Sequence, residues 1–407
     1  MRRTLAILRE LVPELQLHEV PTGTACFDWQ VPQEWNVRAA WIVTPQGRKI
    51  CQFSDNNLHL LGYSVPIERD IELAELQQHL FSLPELPDAI PYVTSYYRRD
   101  WGFCMRDSER RALTEGTYHV VIDSTLEDGH LSYADLLIPG ESSDEILLST
   151  YVCHPSMANN ELSGPCVTIF LAKWLQSLPN RKKSYRVVFI PETIGSIYYI
   201  SRHLEHLKRH VKAGYIVNCI GDERAYSFMP SRAGDSLADR VGRAVMGGID
   251  PHYRSYSFLE RGSDERQYCY PGVDLPIASL MRSKYAEYPE YHTSLDDLAF
   301  VTPAGLAGGF ELFRQCLEIL DSNRTLGNTT LCEPQLGKRG LYANTSTREI
   351  GLSALDIVNV LAYCDGKTDL FAVSRLIELP YWKVDRLARE LEAHQLLVRV
   401  DNISGSE

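Results

Sequence analysis

The chain has 407 residues, of which 44% are hydrophobic and 23% charged, and its formal net charge is −12. The length is long for one core and fits two or three domains, while the composition is that of a globular protein. The acidic balance argues against a general nucleic-acid surface, which needs a basic excess, and fits a small or cationic substrate. Ten cysteines stand singly with no C-x-x-C pair. That spacing excludes the thiolate zinc-finger pattern, departs from a secreted disulfide framework and fits a reducing cytoplasm.

The chain opens MRRTLAILRELVPEL, whose basic start resembles a secretory leader, but Arg9, Glu10 and Glu14 interrupt the apolar run. It reads as an amphipathic helix over residues 3–12, with Leu5, Ile7, Leu8, Leu11 and Val12 inward. No stretch of about 18 apolar residues is present to span a bilayer. Short β-forming segments punctuated by Pro, Gly and Asn follow, as in FDWQVP, AAWIVTP, YYRRDWGFCM (96–105) and YHVVIDSTL. With one helical piece at 71–83, they make residues 27–128 a β-rich module.

After Gly129 the pattern becomes strand–helix alternation. LSYADLLIPG, EILLSTYVCH, SYRVVFIPE, AGYIVNCIGD and PIASLM read as strands. LSGPCVTIFLAKWLQSL, GSIYYISRHLEHLKRHV and the stretches 236–248 and 302–323 read as helices. Continuous apolar strands alternating with helices predict an α/β domain with a mostly parallel sheet covered by helices on both faces. That domain comprises residues 1–26 and 129–325, interrupted by the β-rich insertion.

A polar linker over 326–348 leads to a last module, 349–407. Helices at 353–363, 368–378 and 381–393, followed by a short strand pair in LLVRV, outline a winged helix, and Pro380 suits the start of its third helix. Ten acids against six bases in this module point to protein contact or internal packing rather than DNA binding.

Chemistry-bearing residues gather at strand ends. His154 follows the strand Ile146–Cys153, where Pro155 removes a backbone donor and stops the ladder. Asn159, Asn160 and Glu161 come soon after, before a helix opening near Glu161–Ser163. Glu192 follows YRVVFI, Asp222 follows YIVNCI, and His292 lies in the loop YHTSLDDL. Open α/β sheets place ligands at this rim. Imidazole and carboxylate together are the ligands Zn²⁺ prefers, with a further carboxylate available as base. Taken one at a time, each could instead cap a helix, close a turn or bond a carbonyl. Cys153 beside His154 invites a Cys–His pair, yet adjacent strand residues point to opposite faces, so the two should not meet. Asp264 and Glu265 are candidates for holding a substrate ammonium, or for a surface salt-bridge loop. Tyr285, Tyr288 and Tyr291 form either an apolar wall by His292 or ordinary packing.

The segments CHPSMANNELSG, FIPETIGS, GSDERQYCYPGVDLPIASL and YHTSLDDL, in that order, resemble the zinc-dependent aminopeptidase superfamily of bacterial leucyl aminopeptidases and glutaminyl cyclases. More closely, the chain resembles a subgroup of bacterial aminopeptidase-like proteins with a β-rich insertion and a winged-helix-like end, a resemblance that covers nearly the whole chain. The resemblance implies His154 as first metal ligand, Glu192 as general base, Asp222 as a later ligand and His292 as the last ligand or a substrate contact. It also implies further sequence before Met1.

Two departures stand out. Where the superfamily has Asp-Asn-x-Ser-Gly, with the Asp bridging two metals, this chain has Asn160-Glu161-Leu162-Ser163-Gly164, so Glu161 would take the ligand role. Where it has Glu-Glu, this chain has Glu192-Thr193. The implied cofactor is a single zinc ion held by His154, Glu161, Asp222 and His292, with Asp264, Glu265 and Tyr291 toward the substrate. The implied activity is hydrolysis of an amide bond in a small peptide, an aminoacyl or an N-acyl compound by a cytoplasmic enzyme, with homo-oligomer formation through the added modules. The alternatives are an amidohydrolase that deacylates amino sugars and a peptidase-like binding or scaffold protein that has lost catalysis.

Overall fold

The structure is a computed structural model that describes residues 1–96, 98–341 and 354–400. It divides into two compact units, Met1–Arg314 and Gln315–Glu407.

The first unit opens with helix α1 (Arg2–Leu11), which buries Leu5 and Leu8, and strand β1 (Gln16–Pro21). Then β2 (Glu34–Val43), β3 (Ile67–Glu72) and β4 (Thr117–Glu127) form an antiparallel sheet, with Lys49–Ile50 added at the β2 edge. Ala40, Ile42, Ile71, Phe103, Val120 and Ile122 pack into a core of its own. The helix expected at 71–83 is shorter: β3 runs on to Glu72, and only Leu73–Leu76 and the turn Gln77–His79 coil. The ladder from Ile67–Glu72 to Thr117–Ile122 claims those first residues. Within 96–105 only Phe103–Cys104 is a strand, and Tyr97 lies outside the described residues.

The remainder alternates: β5 (His130–Ile138), β6 (Glu145–Tyr151), α2 (Ser163–Ser177), β7 (Ser184–Ile190), α3 (Ile194–His210), β8 (Val211–Val217), β9 (Ser227–Met229), α4 (Leu237–Ile249), β10 (Arg254–Ser255), β11 (Ile277–Met281) and α5 (Pro303–Ser322). The main sheet runs β1-β5-β7-β6-β8-β11-β9-β10. Its centre, β7-β6-β8-β11, is parallel. The β1–β5, β5–β7 and β9–β11 pairings are antiparallel and β9–β10 is parallel, so the sheet is mixed. Every residue of β6 and β7 is buried. Side chains alternate across a strand, so this burial means cover on both faces. A Cβ at Gly164 would lie 2.4 Å from the Val217 carbonyl and 2.5 Å from Thr150 Oγ1. Glycine there lets α2 start directly against the ends of β6 and β8.

The second unit holds β12 (Thr325–Asn328), α6 (Ala354–Tyr363), β13 (Asp365–Asp369), α7 (Leu370–Leu376), α8 (Tyr381–Ala393) and β14 (Leu397–Arg399). LLVRV supplies one strand rather than two. β14 pairs with β12, of which residues 326–328 were expected in a linker, and β12 also pairs with β13. Residues 342–353 of that stretch lie outside the described residues. On α8, Lys383 pairs with Asp356 at 2.8 Å and Arg389 with Asp385 at 2.7 Å, so these cations are used internally. Among the described residues, no helix is long and apolar enough to cross a membrane.

At the opposite end of β6 from its closing turn, Arg186 grips Glu145 through two bonds of 2.6 and 3.0 Å, and His206 adds a third at 2.7 Å. Burial pushes the Glu145 carboxyl up, but these partners outweigh it and hold it below its ordinary value of 4.5. The stability it contributes is therefore present above pH 4.5 and lost as pH falls through the lower folded value. Arg186→Met should destabilise the unit by about 3–5 kcal/mol at pH 7, since it strands a buried charge. The deficit should shrink toward pH 4 in denaturant melts as Glu145 protonates; an equal deficit at both pH values would refute the role given to the charge.

Candidate metal centre

The β6 ladder ends at Tyr151, and the Val152 N–H still reaches the Ile190 carbonyl at 2.8 Å. Cys153 and His154 lie beyond it, free of strand alternation. The expectation that their side chains cannot meet is therefore wrong: Cys153 Sγ is 3.5 Å from His154 Nδ1. Periodicity is a property of the ladder, and the ladder has stopped.

Past Pro155 the chain reverses through a wide helical turn, Ala158–Leu162. Asp296 clamps this turn, accepting the Asn159 N–H at 2.6 Å, the Asn160 N–H at 2.9 Å and the Tyr288 hydroxyl at 3.1 Å. The turn brings Glu161 back to the strand end. There its Oε2 accepts the N–H groups of Cys153 and His154 at 3.1 and 2.8 Å and lies 3.4 Å from His154 Nδ1. His154 Nε2 lies 3.6 Å from Glu192 Oε2. The imidazole thus stands between two carboxylates. Burial opposes its charge, but Cys153, Glu161 and Glu192 outweigh burial and hold its pKa well above the ordinary range.

Glu192 follows β7 and keeps 21% of its side chain exposed, against 7% for His154, so it is the group that faces solvent. Burial raises its pKa and the nearby His154 charge pulls it down, for a net rise. Thr193 after it has φ of 66°, a strained conformation for a β-branched residue. Asp264 supports that kink by accepting the Thr193 N–H at 2.8 Å and the Ser196 hydroxyl at 2.7 Å. Burial and the Glu192 charge push Asp264 up to about 7.

Asp264 and Glu265, expected to meet a substrate ammonium, are 1% and 0% exposed and lie beneath the surface instead. Glu265 accepts the Gly262 and Ser263 N–H groups and the Tyr285 hydroxyl, all within 3.0 Å, so it builds its own loop. Asp222 accepts four hydrogen bonds, from Asn159, from Arg224 and twice from Ser283, at 2.7–3.1 Å. It ties the Asn159 turn to the loop after β11. Among the described residues, the only group of three closely spaced ligand atoms is Cys153, His154 and Glu161, without Asp222.

His292 (φ 56°) stacks on Tyr291 at 3.9 Å between ring centroids and lies 5.4 Å from the His154 ring. Its Nε2 is buried without a partner. Burial and the His154 charge lower its pKa to about 3, which leaves the neutral imidazole a metal needs. Tyr285 and Tyr288 are buried with Cys219, Met229 and Met281, as packing. The β-rich segment reaches this loop: Tyr92 N–H bonds the His292 carbonyl at 2.8 Å, and Ile90 and Ser294 exchange two bonds.

The donors at this strand end fit a metal ion. Asn160 is neutral, and its Oδ1 accepts the Tyr151 hydroxyl at 2.6 Å. Asp222 already accepts four hydrogen bonds. His154, Glu161 and the unpartnered His292 Nε2 remain. Sequence reasoning missed Asp296 as the clamp, although it sits four residues after His292 in the same acidic motif.

The sequence profile of DUF4910, described as a domain of unknown function, matches residues 1–323, and that of a winged helix-turn-helix family matches 324–399. A Clostridium acetobutylicum protein named for polysaccharide biosynthesis, with an aminopeptidase-like domain, is 40% identical over 98% of this chain and 91% of its own. A crystal structure named as a peptidase from Clostridium acetobutylicum superposes with a TM-score of 0.89 at 39% identity, covering 98% of this chain and 91% of that one. A zinc aminopeptidase from Bacillus subtilis superposes at 0.56 with 13% identity (78% and 87% covered). A peptidase M28 precursor from Shewanella amazonensis superposes at 0.53 with 12% identity (81% and 88% covered). The first unit thus has the aminopeptidase fold.

Asp296→Ala should leave the Asn159 and Asn160 N–H groups unsatisfied and cost about 1–3 kcal/mol each. Denaturant melts should show that loss, together with weaker zinc binding by calorimetry as Glu161 loses its anchor. Unchanged zinc affinity would separate Asp296 from the site.

Proposed function

We propose that this chain, which belongs to the DUF4910 family, is a metal-dependent hydrolase of amide bonds that works in the manner of an aminopeptidase. The observation that carries the reading is His154, held between Glu161 and Glu192 at 3.4 and 3.6 Å at the carboxyl end of a central parallel strand. His154 and Glu161 would hold a single Zn²⁺, with the His292 ring 5.4 Å from that of His154 and Asp222 bracing the turn. When bound, the ion supplies Lewis acidity and lowers the pKa of a coordinated water.

The chain's own groups do the rest. Glu192, partly exposed and raised above the ordinary carboxylate range, accepts the proton of the attacking water at Oε2 and passes it to the leaving amine. Asp264 and Ser196 keep the Glu192–Thr193 kink in place. Tyr92 and Tyr291, edge-on to and stacked against His292, limit the water around it. The Tyr92 N–H bond to the His292 carbonyl narrows the approach and favours small substrates. Ten free cysteines suit a reducing cytoplasm.

A second reading has a specific support. The relative at 40% identity is named for polysaccharide biosynthesis, and deacylation of an N-acyl amino sugar breaks the same amide bond with the same groups. A panel of aminoacyl amides, dipeptides and N-acyl amino sugars separates the two by which class turns over. On whichever substrate is active, Glu192→Gln should keep the fold and zinc content while lowering kcat by about 10²–10⁴-fold. Wild-type turnover in that variant would remove Glu192 from the mechanism.

A further inference from the structure

The group at the end of β6 contains a donor that the hydrolase reading does not use. Cys153 Sγ is 3.5 Å from His154 Nδ1, and Glu161 Oε2 is 3.4 Å from the same nitrogen. With Zn–S of about 2.3 Å and Zn–N and Zn–O of about 2.0–2.2 Å, the edges of a tetrahedron around zinc measure about 3.5 Å for S···N and about 3.4 Å for N···O. The two separations match those edges before any ion is added.

Burial pushes the Cys153 thiol up and the His154 charge pulls it back only in part, so the positive charge of an ion is what a thiolate here would need; the local hydrogen bonds position the sulfur and the imidazole. The Glu192 N–H points at Cys153 Sγ from 3.4 Å, a donor that favours sulfur carrying negative charge. The two N–H bonds of 3.1 and 2.8 Å fix Glu161 Oε2 beside His154. On the far side of the ring, Nε2 lies 3.6 Å from Glu192 Oε2, which leaves Nδ1 as the nitrogen turned toward Cys153 and Glu161. Asn160 contributes no charge, and a thiolate would supply the negative charge that the missing carboxylate does not.

We propose that Cys153 is a ligand of the ion, which binds His154 through Nδ1, so that this chain carries a mononuclear Cys153–His154–Glu161 site in place of a carboxylate-bridged pair of metals. The proposal rests on the metal-dependent reading above and specifies its ligand set. As the ion binds, the Cys153 thiol proton and the proton on His154 Nδ1 both leave to solvent, and the imidazole keeps its Nε2–H. The soft donor selects zinc, cobalt and cadmium over manganese and magnesium.

The test is titration of the reduced, metal-free full chain with Co²⁺ alone, followed by absorption spectroscopy. Wild type should develop the visible bands of tetrahedral cobalt together with a near-ultraviolet thiolate-to-cobalt charge-transfer band, both saturating at one equivalent. Cys153→Ser should lose the charge-transfer band and bind Co²⁺ at least about tenfold more weakly. Cys166→Ser, a thiol elsewhere in α2, should keep the band. Visible bands without charge transfer in wild type, or a charge-transfer band that survives Cys153→Ser, overturn the thiolate ligand and leave the single-metal reading standing. Absence of any Co²⁺ binding overturns both.

Discussion

The site depends on one carboxylate oxygen. Glu161 Oε2 accepts the N–H groups of Cys153 and His154, and so closes a loop of chain back onto the end of the strand it left. Buried N–H groups need acceptors, and past Tyr151 the ladder no longer supplies them for these two residues. The same bonds fix the rotamer of Glu161, the seat of the His154 ring and the spacing between them. Gly164 and Asp296 act one step further out. The first lets α2 begin against the strand ends, and the second holds the turn that delivers Glu161.

The outline of this arrangement was legible in the sequence. Apolar strands alternating with helices gave the α/β core, and Pro155 marked the strand end that leaves His154 at the rim. The glutamate after YRVVFI and the histidine in YHTSLDDL end near His154, as their positions relative to strands implied. Long-range pairings were less legible. β5 lies antiparallel to β7 and β1, and a strand's direction in a sheet depends on partners far away in sequence. β12 was hidden for the same reason, because its partner β14 is about 70 residues on. Asp222, Asp264 and Glu265 have the composition of ligands or substrate contacts. Each is buried and accepts several hydrogen bonds, and neither property is written in local sequence.

Asn160 turns toward Tyr151, and Thr193 takes a strained kink that Asp264 supports, so both positions are absorbed into the scaffold. The functional groups that remain are concentrated on His154. The β-rich sheet, with its own core, reaches that scaffold through Ile90 and Tyr92, which ties the loop of His292 to a separately packed element. The winged helix-turn-helix unit keeps Lys383 and Arg389 of its third helix in internal pairs, which fits packing or protein contact.

The most direct measurement is anomalous diffraction at the zinc edge from crystals of the zinc-loaded chain. The account predicts one peak, within bonding distance of His154 and Glu161 and next to Glu192. No peak there, or a pair of peaks about 3.5–4 Å apart as in two-metal hydrolases, would contradict it.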